Sequence, residues 1–164
     1  MRKKFITLVM SGLITIIIIG NLALAATTTY NQTIRVQVAV INELFISGNP
    51  PALTINLAGT GSQPTNVINS TTFYNISSND SSKKITGVLN SAMPVNTALA
   101  INLAAPTGAA SMGNVTLSLV AADLVTGINK VAESGKTITY TFSANVAAGV
   151  IPTGVRTVTL TITN

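Results

Sequence analysis

The chain of 164 residues contains no cysteine, no histidine and no tryptophan. Without cysteine there is no disulfide, no thiol nucleophile and no thiolate ligand. Without histidine a Ser–His–Asp triad cannot form, and Cys/His zinc sites and His-ligated haem are excluded as well. Charge is scarce too. Only 8% of residues are charged, against roughly 25% in ordinary globular domains. Aromatic residues make up 4%, and the body of the chain has no basic cluster, which argues against nucleic-acid binding. A hydrophobic fraction of 47% argues equally against global disorder. What is abundant is neutral and polar: 24 Thr, 16 Asn and 13 Ser. Such a chain has the composition of building material more than of an enzyme.

The N-terminus reads as an address. Arg2, Lys3 and Lys4 precede a long apolar run from Phe5 to Gly20, and Ala23-Leu24-Ala25 is a small-x-small cleavage signal. Residues 1–25 are therefore expected to be a secretory signal peptide, cut after Ala25 or Ala26. The other reading is an uncleaved anchor, because Phe5 to Ala25 is long enough to span a bilayer. No cysteine follows the apolar run, so lipid attachment there is excluded. Cleavage removes three of the nine basic residues and leaves six against four acidic ones, a net +2. The high isoelectric point is thus largely a property of the leader. The remaining 139 residues suffice for one core.

Beyond the leader, apolar and polar residues alternate with the period of a strand. Ile34, Val36, Val38 and Val40 are interleaved with Thr33, Arg35, Gln37 and Ala39. The same pattern marks Leu53–Leu57, Leu99–Leu103, Val115–Leu119, Ile138–Phe142 and Val158–Ile162. It is looser around Phe73–Ile76, and Gly87 interrupts it between Ile85 and Leu89. Turn signals separate these runs, among them Gly48-Asn49-Pro50-Pro51, Ser77 to Ser82, Pro106-Thr107-Gly108 and Pro152-Thr153-Gly154. Eight or nine short strands with one aliphatic and one Thr/Ser/Asn face predict an all-β, antiparallel β-sandwich. Only Ala121–Ile128 admits helix, and there a single turn. Threonine suits such strands because its branched Cβ favours the pleat while its hydroxyl keeps the outer face wet without charge.

Chemistry-bearing residues are thin on the ground. The four carboxylates, Glu43, Asp80, Asp123 and Glu133, are far apart in sequence, so no metal loop or adjacent acid pair is present. Ser81-Ser82-Lys83-Lys84 reads as a polar hairpin loop leading into the strand at Ile85, not as a Ser–Lys pair. Gly108 to Gly113 lacks the Lys-Ser/Thr of a phosphate loop. No catalytic, metal or cofactor-binding residue is assigned, and no cofactor is expected.

Four segments carry a resemblance. Thr33 to Val40 directly follows the leader and runs into the apolar Leu44–Ile46 and a Gly-Asn-Pro turn. Asn79-Asp80-Ser81-Ser82-Lys83-Lys84-Ile85 precedes a strand. Ser134-Gly135-Lys136-Thr137-Ile138-Thr139-Tyr140 occupies the penultimate strand, and Pro152-Thr153-Gly154 leads into the last one. In this layout the chain resembles the major pilin subunits of class 5 fimbriae, of the alternate chaperone–usher family. The resemblance implies an immunoglobulin-like sandwich over residues 42–164 that lacks one strand. It implies that residues 26–41 form an N-terminal extension, the donor strand, which fills the groove of the next subunit. Tyr30, Ile34, Val36, Val38 and Val40 would enter that groove, and Val158, Leu160 and Ile162 of the C-terminal strand would line it. The implied partners are copies of the same chain joined head to tail, a periplasmic chaperone, an outer-membrane usher and a tip adhesin. Nucleic acid is not among them.

The expectation is therefore a non-enzymatic structural subunit of a surface fimbria, exported through the periplasm and supporting adhesion. The alternative is a self-contained immunoglobulin-like adhesin or biofilm-matrix protein that binds glycan or a host surface.

Overall fold

A computed structural model describes residues 27–164; the expected leader, residues 1–25, lies outside them. Nine strands are present: β1 (Asn42–Ile46), β2 (Val67–Ser78), β3 (Lys83–Leu89), β4 (Thr97–Leu103), β5 (Ala110–Ser111), β6 (Val115–Thr116), β7 (Ala122–Ile128), β8 (Val131–Ala144) and β9 (Val158–Thr163). A single 3-10 turn, Val146–Ala148, is the only helical element among the described residues. All pairings are antiparallel, in a five-stranded sheet ordered β1-β2-β8-β4-β6 and a four-stranded sheet ordered β5-β7-β3-β9. The all-β expectation holds.

The two sheets bury their aliphatic faces against each other. The first contributes Tyr74, Ile76, Leu99, Ile101, Leu103, Ile138 and Tyr140. The second contributes Ile85, Leu89, Leu124, Val125 and Ile128. Threonine fills the outward positions of β9 and much of β8, as the alternation requires. Tyr74 is fully buried, and its hydroxyl donates to the Ala104 carbonyl at 2.6 Å; burial pushes its pKa far above the ordinary tyrosine value.

One long side of the sandwich is closed by the chain itself. After β6 the backbone crosses between the sheets. Leu117 N–H donates to Leu99 O in the first sheet, and Ser118 O accepts from Leu89 N–H in the second. Leu117 fills the gap between them, 3% exposed. The edge strands on this side, β5 and β6, are only two residues each.

Several sequence expectations need correction. Ala121–Ile128, where one helical turn was allowed, is strand β7. Two register shifts against β3 turn the adjacent Leu124 and Val125 both inward, and Gly127 takes a φ of 72° that few other residues adopt. The bulged strand thereby loses its period of two and mimics a helical face. Second, Leu53–Leu57 keeps alternating burial at Leu53 and Ile55 but pairs with no strand among the described residues. Third, the alternation of Val115–Leu119 yields a ladder only at Val115–Thr116, because the chain leaves that sheet at Leu117.

Gly87 does not interrupt β3. A Cβ there would lie 2.7 Å from Leu124 Cδ1 and 3.2 Å from Leu117 Cδ2, so glycine is what lets the switching segment close on the second sheet. Gly87→Ala should destabilise the domain by about 1–3 kcal/mol through overpacking, read as a lower urea midpoint at unchanged slope. An unchanged midpoint would contradict this packing.

Candidate functional site

The opposite long side of the sandwich is different. Here the sheets end in β1 and β9, which lie close together across the sandwich. Both are full-length strands, of five and six residues. Among the described residues each is paired on one side only.

The register fixes which backbone groups are left over. Thr157 O accepts from Asn90 N–H, continuing the β3–β9 ladder by one residue. In an antiparallel pair, groups pointing at the partner alternate with groups pointing away. Thr157, Thr159, Thr161 and Thr163 therefore face β3, and the N–H and C=O groups of Val158, Leu160 and Ile162 face outward. The same reasoning applies to β1. Ile41 O accepts from Asn79 N–H, and Ser47 N–H donates to Phe73 O. The outward groups on that strand belong to Asn42, Leu44 and Ile46.

These residues also carry the inward side chains. Leu44 and Ile46 of β1 and Val158, Leu160 and Ile162 of β9 all pack against the core, yet all stay half-buried, while the aliphatics of the interior strands are sealed. Leu53, from the unpaired stretch after β1, packs against the same core. The result is an incompletely covered aliphatic edge flanked by backbone groups that no described residue pairs. The β9 side carries no charge and no proline, the devices that normally protect a sheet edge. Val158, Leu160 and Ile162, the groove residues expected from sequence, are thus brought together on this side. Leu44 and Ile46 of β1 join them; their apolar spacing was visible, but nothing in the sequence tied them to β9.

The donor-strand residues are placed differently. Residues 27–37 belong to a separate unit from Val38–Asn164. Residues 27–41 form no strand, and Tyr30, Ile34, Val36, Val38 and Val40 are between 71% and 89% exposed.

Glu43 lies on β1, facing away from the core side of that strand, and six other charged residues form three ion pairs. Lys83 pairs with Asp80 at 2.9 Å and Lys84 with Asp123 at 3.0 Å; Lys136 pairs with Glu133. Lys83 also donates to Asn164 Oδ1. Among the described residues no group of three metal-ligating side chains occurs. Comparison of the chain with known protein families, characterised proteins and solved structures found no match.

The hydrogen bond from Lys136, with further help from Thr107, holds the Glu133 carboxyl down from 4.5 to about 2. Asp80 is lowered first by the Lys83 hydrogen bond and then by the Ser81 N–H. Both shifts are depressions, so their stabilisation is complete above the ordinary carboxyl values and is lost as pH falls through the native ones. The melting temperature should therefore drop between pH 5 and pH 2, and Glu133→Gln should melt lower at neutral pH with a smaller acid drop. Parallel curves for the two proteins would refute the assignment.

Proposed function

We propose that this chain is an exported structural subunit that polymerises head to tail into a surface filament, each subunit completing its neighbour by strand donation. The observation that carries this reading is the open side of the sandwich: a half-buried aliphatic row, Val158, Leu160 and Ile162, whose backbone groups have no partner among the described residues. A strand added there gains ladder hydrogen bonds and places alternate side chains in the cleft, which is recognition by strand addition. Ile34, Val36 and Val38 repeat the spacing of the three cleft residues and supply the matching strand.

The strand order supports an immunoglobulin-like plan. In that plan one sheet runs A-B-E-D and the other C-F-G. Here β1-β2-β8-β4 corresponds to the first sheet and β3-β9 to the opening of the second, with β5 and β7 added outside β3. That plan would put its last strand beyond β9, where no strand pairs among the described residues. A head-to-tail contact of this kind does not close on itself and so builds a fibre. An uncovered cleft invites aggregation, so a periplasmic chaperone and an outer-membrane usher belong to the reading, as does export by a leader cleaved near Ala25. A self-contained adhesin or matrix protein would show itself as monomers in negative-stain micrographs.

Burial of each aliphatic side chain is worth roughly 1.5–3 kcal/mol, so three of them supply on the order of 5–9 kcal/mol before ordering costs, whereas an unpaired charge in the cleft costs several. Val36→Asp should abolish filaments in negative-stain micrographs, and Gln37→Asp, on the opposite face, should leave them largely intact. The Val36→Asp subunit should still be stabilised by a synthetic peptide of residues 27–41, since its own cleft is unchanged. Equal filament yields from the two variants would remove the donor assignment.

A further inference from the structure

The N-terminal extension is tied to its own domain by one side chain. Asn79 Nδ2 donates to Ala39 O at 2.7 Å, and Ile41 N–H donates to Asn79 Oδ1 at 2.8 Å. Asn79 N–H also donates to Ile41 O at 3.1 Å. Three hydrogen bonds from a single residue hold residues 39–41 as a continuation of β1, in register with β2. Val40 lies between the two bonded residues, with its side chain in solvent.

This clamp has a geometric effect. β1 begins, and β9 ends, at the end of the sandwich where β2 turns into β3. For the extension to fold back into its own cleft, the chain must cross from the first sheet to the second. Stacked sheets lie about 10 Å apart, and three extended residues reach at most about 10 Å. Residues 39–41 are the segment nearest that crossing, and the clamp withholds them from it. The folded-back strand would also run parallel to β9, the weaker pairing. A neighbour's strand is under neither restriction.

We propose that Asn79 is a positioning residue that bars self-completion, and that it thereby limits the inserted strand to residues up to Val38. The occupant of the cleft is then the extension of a second copy, seated through Ile34, Val36 and Val38, with Val40 retained by its own domain. This rests on the strand-donation reading above and refines it. The match is one to one, three alternating β-branched residues against Val158, Leu160 and Ile162.

The test uses full-length subunits, filament counts by negative stain, and thermal melts with a peptide of residues 27–38. Val38→Asp should reduce filaments at least about tenfold, since burying an unpaired charge costs several kcal/mol. Val40→Asp and Val40→Asn should stay within about twofold of the parent. Asn79→Ala should lower filament yield severalfold and blunt the melting shift produced by the peptide, because the freed extension now competes for the cleft. Asn79→Asp, which keeps the acceptor for Ile41 N–H, should fall between. Val40→Asp as damaging as Val38→Asp, or an undiminished peptide response in Asn79→Ala, would overturn the clamp while leaving strand donation standing. If neither Val36→Asp nor Val38→Asp affects filaments and no variant responds to the peptide, strand donation itself fails.

Discussion

A backbone amide taken out of water needs a partner, and among the described residues β9 finds partners along one edge only. Much of the architecture follows from that shortfall. The outward N–H and C=O groups of Val158, Leu160 and Ile162 belong to the residues whose side chains look into the sandwich, so an unpaired ladder and an incompletely covered core coincide. Covering the core there and pairing the ladder are the same act, and only an added strand performs both. A loop laid over the cleft would bury the aliphatic row but strand the amides, at a cost of about 1–3 kcal/mol for each buried unsatisfied group.

The two long sides of the sandwich handle the edge problem in opposite ways. On one, the chain crosses between sheets at Leu117 and Ser118, and the edge strands shrink to two residues. The close approach at Gly87 belongs to that closure. On the other, β1 and β9 keep their full length and carry no proline, and β9 carries no charge. Since neither side is helped by a disulfide, packing and pairing supply the whole of the stability. The few ions contribute locally: Asp80–Lys83 and Glu133–Lys136 are three residues apart and serve turns more than the core.

Much of this was legible in the sequence because period-2 alternation is a direct image of a half-buried strand. The ladders at Leu99–Leu103, Ile138–Phe142 and Val158–Ile162 fall where the alternation puts them. It failed where the backbone departs from a regular pleat. At Leu124-Val125 a bulge turns two neighbours inward, so the strand reads as helix. At Leu53–Leu57 the pattern is a strand's, but no ladder forms, because pairing depends on a second segment that alternation does not name. The cleft was legible only by half. Val158, Leu160 and Ile162 could be singled out, but the closeness of their strand to that of Leu44 and Ile46 comes from a topology in which the first and last strands end two different sheets on the same side. Asn79 read as one more turn residue in a polar loop; its reach back to Ala39 and Ile41 spans a hairpin that local sequence does not reveal.

The placement of Asn79 also bears on mechanics. Tension pulled through the extension enters the domain at residues 39–41 and runs along the axis of β1. The bonds between β1 and β2 lie across that direction and share the load together, as in shear, instead of parting one after another as in a zipper. The side chain that fixes where the extension leaves the fold also sets the direction in which the fold meets force.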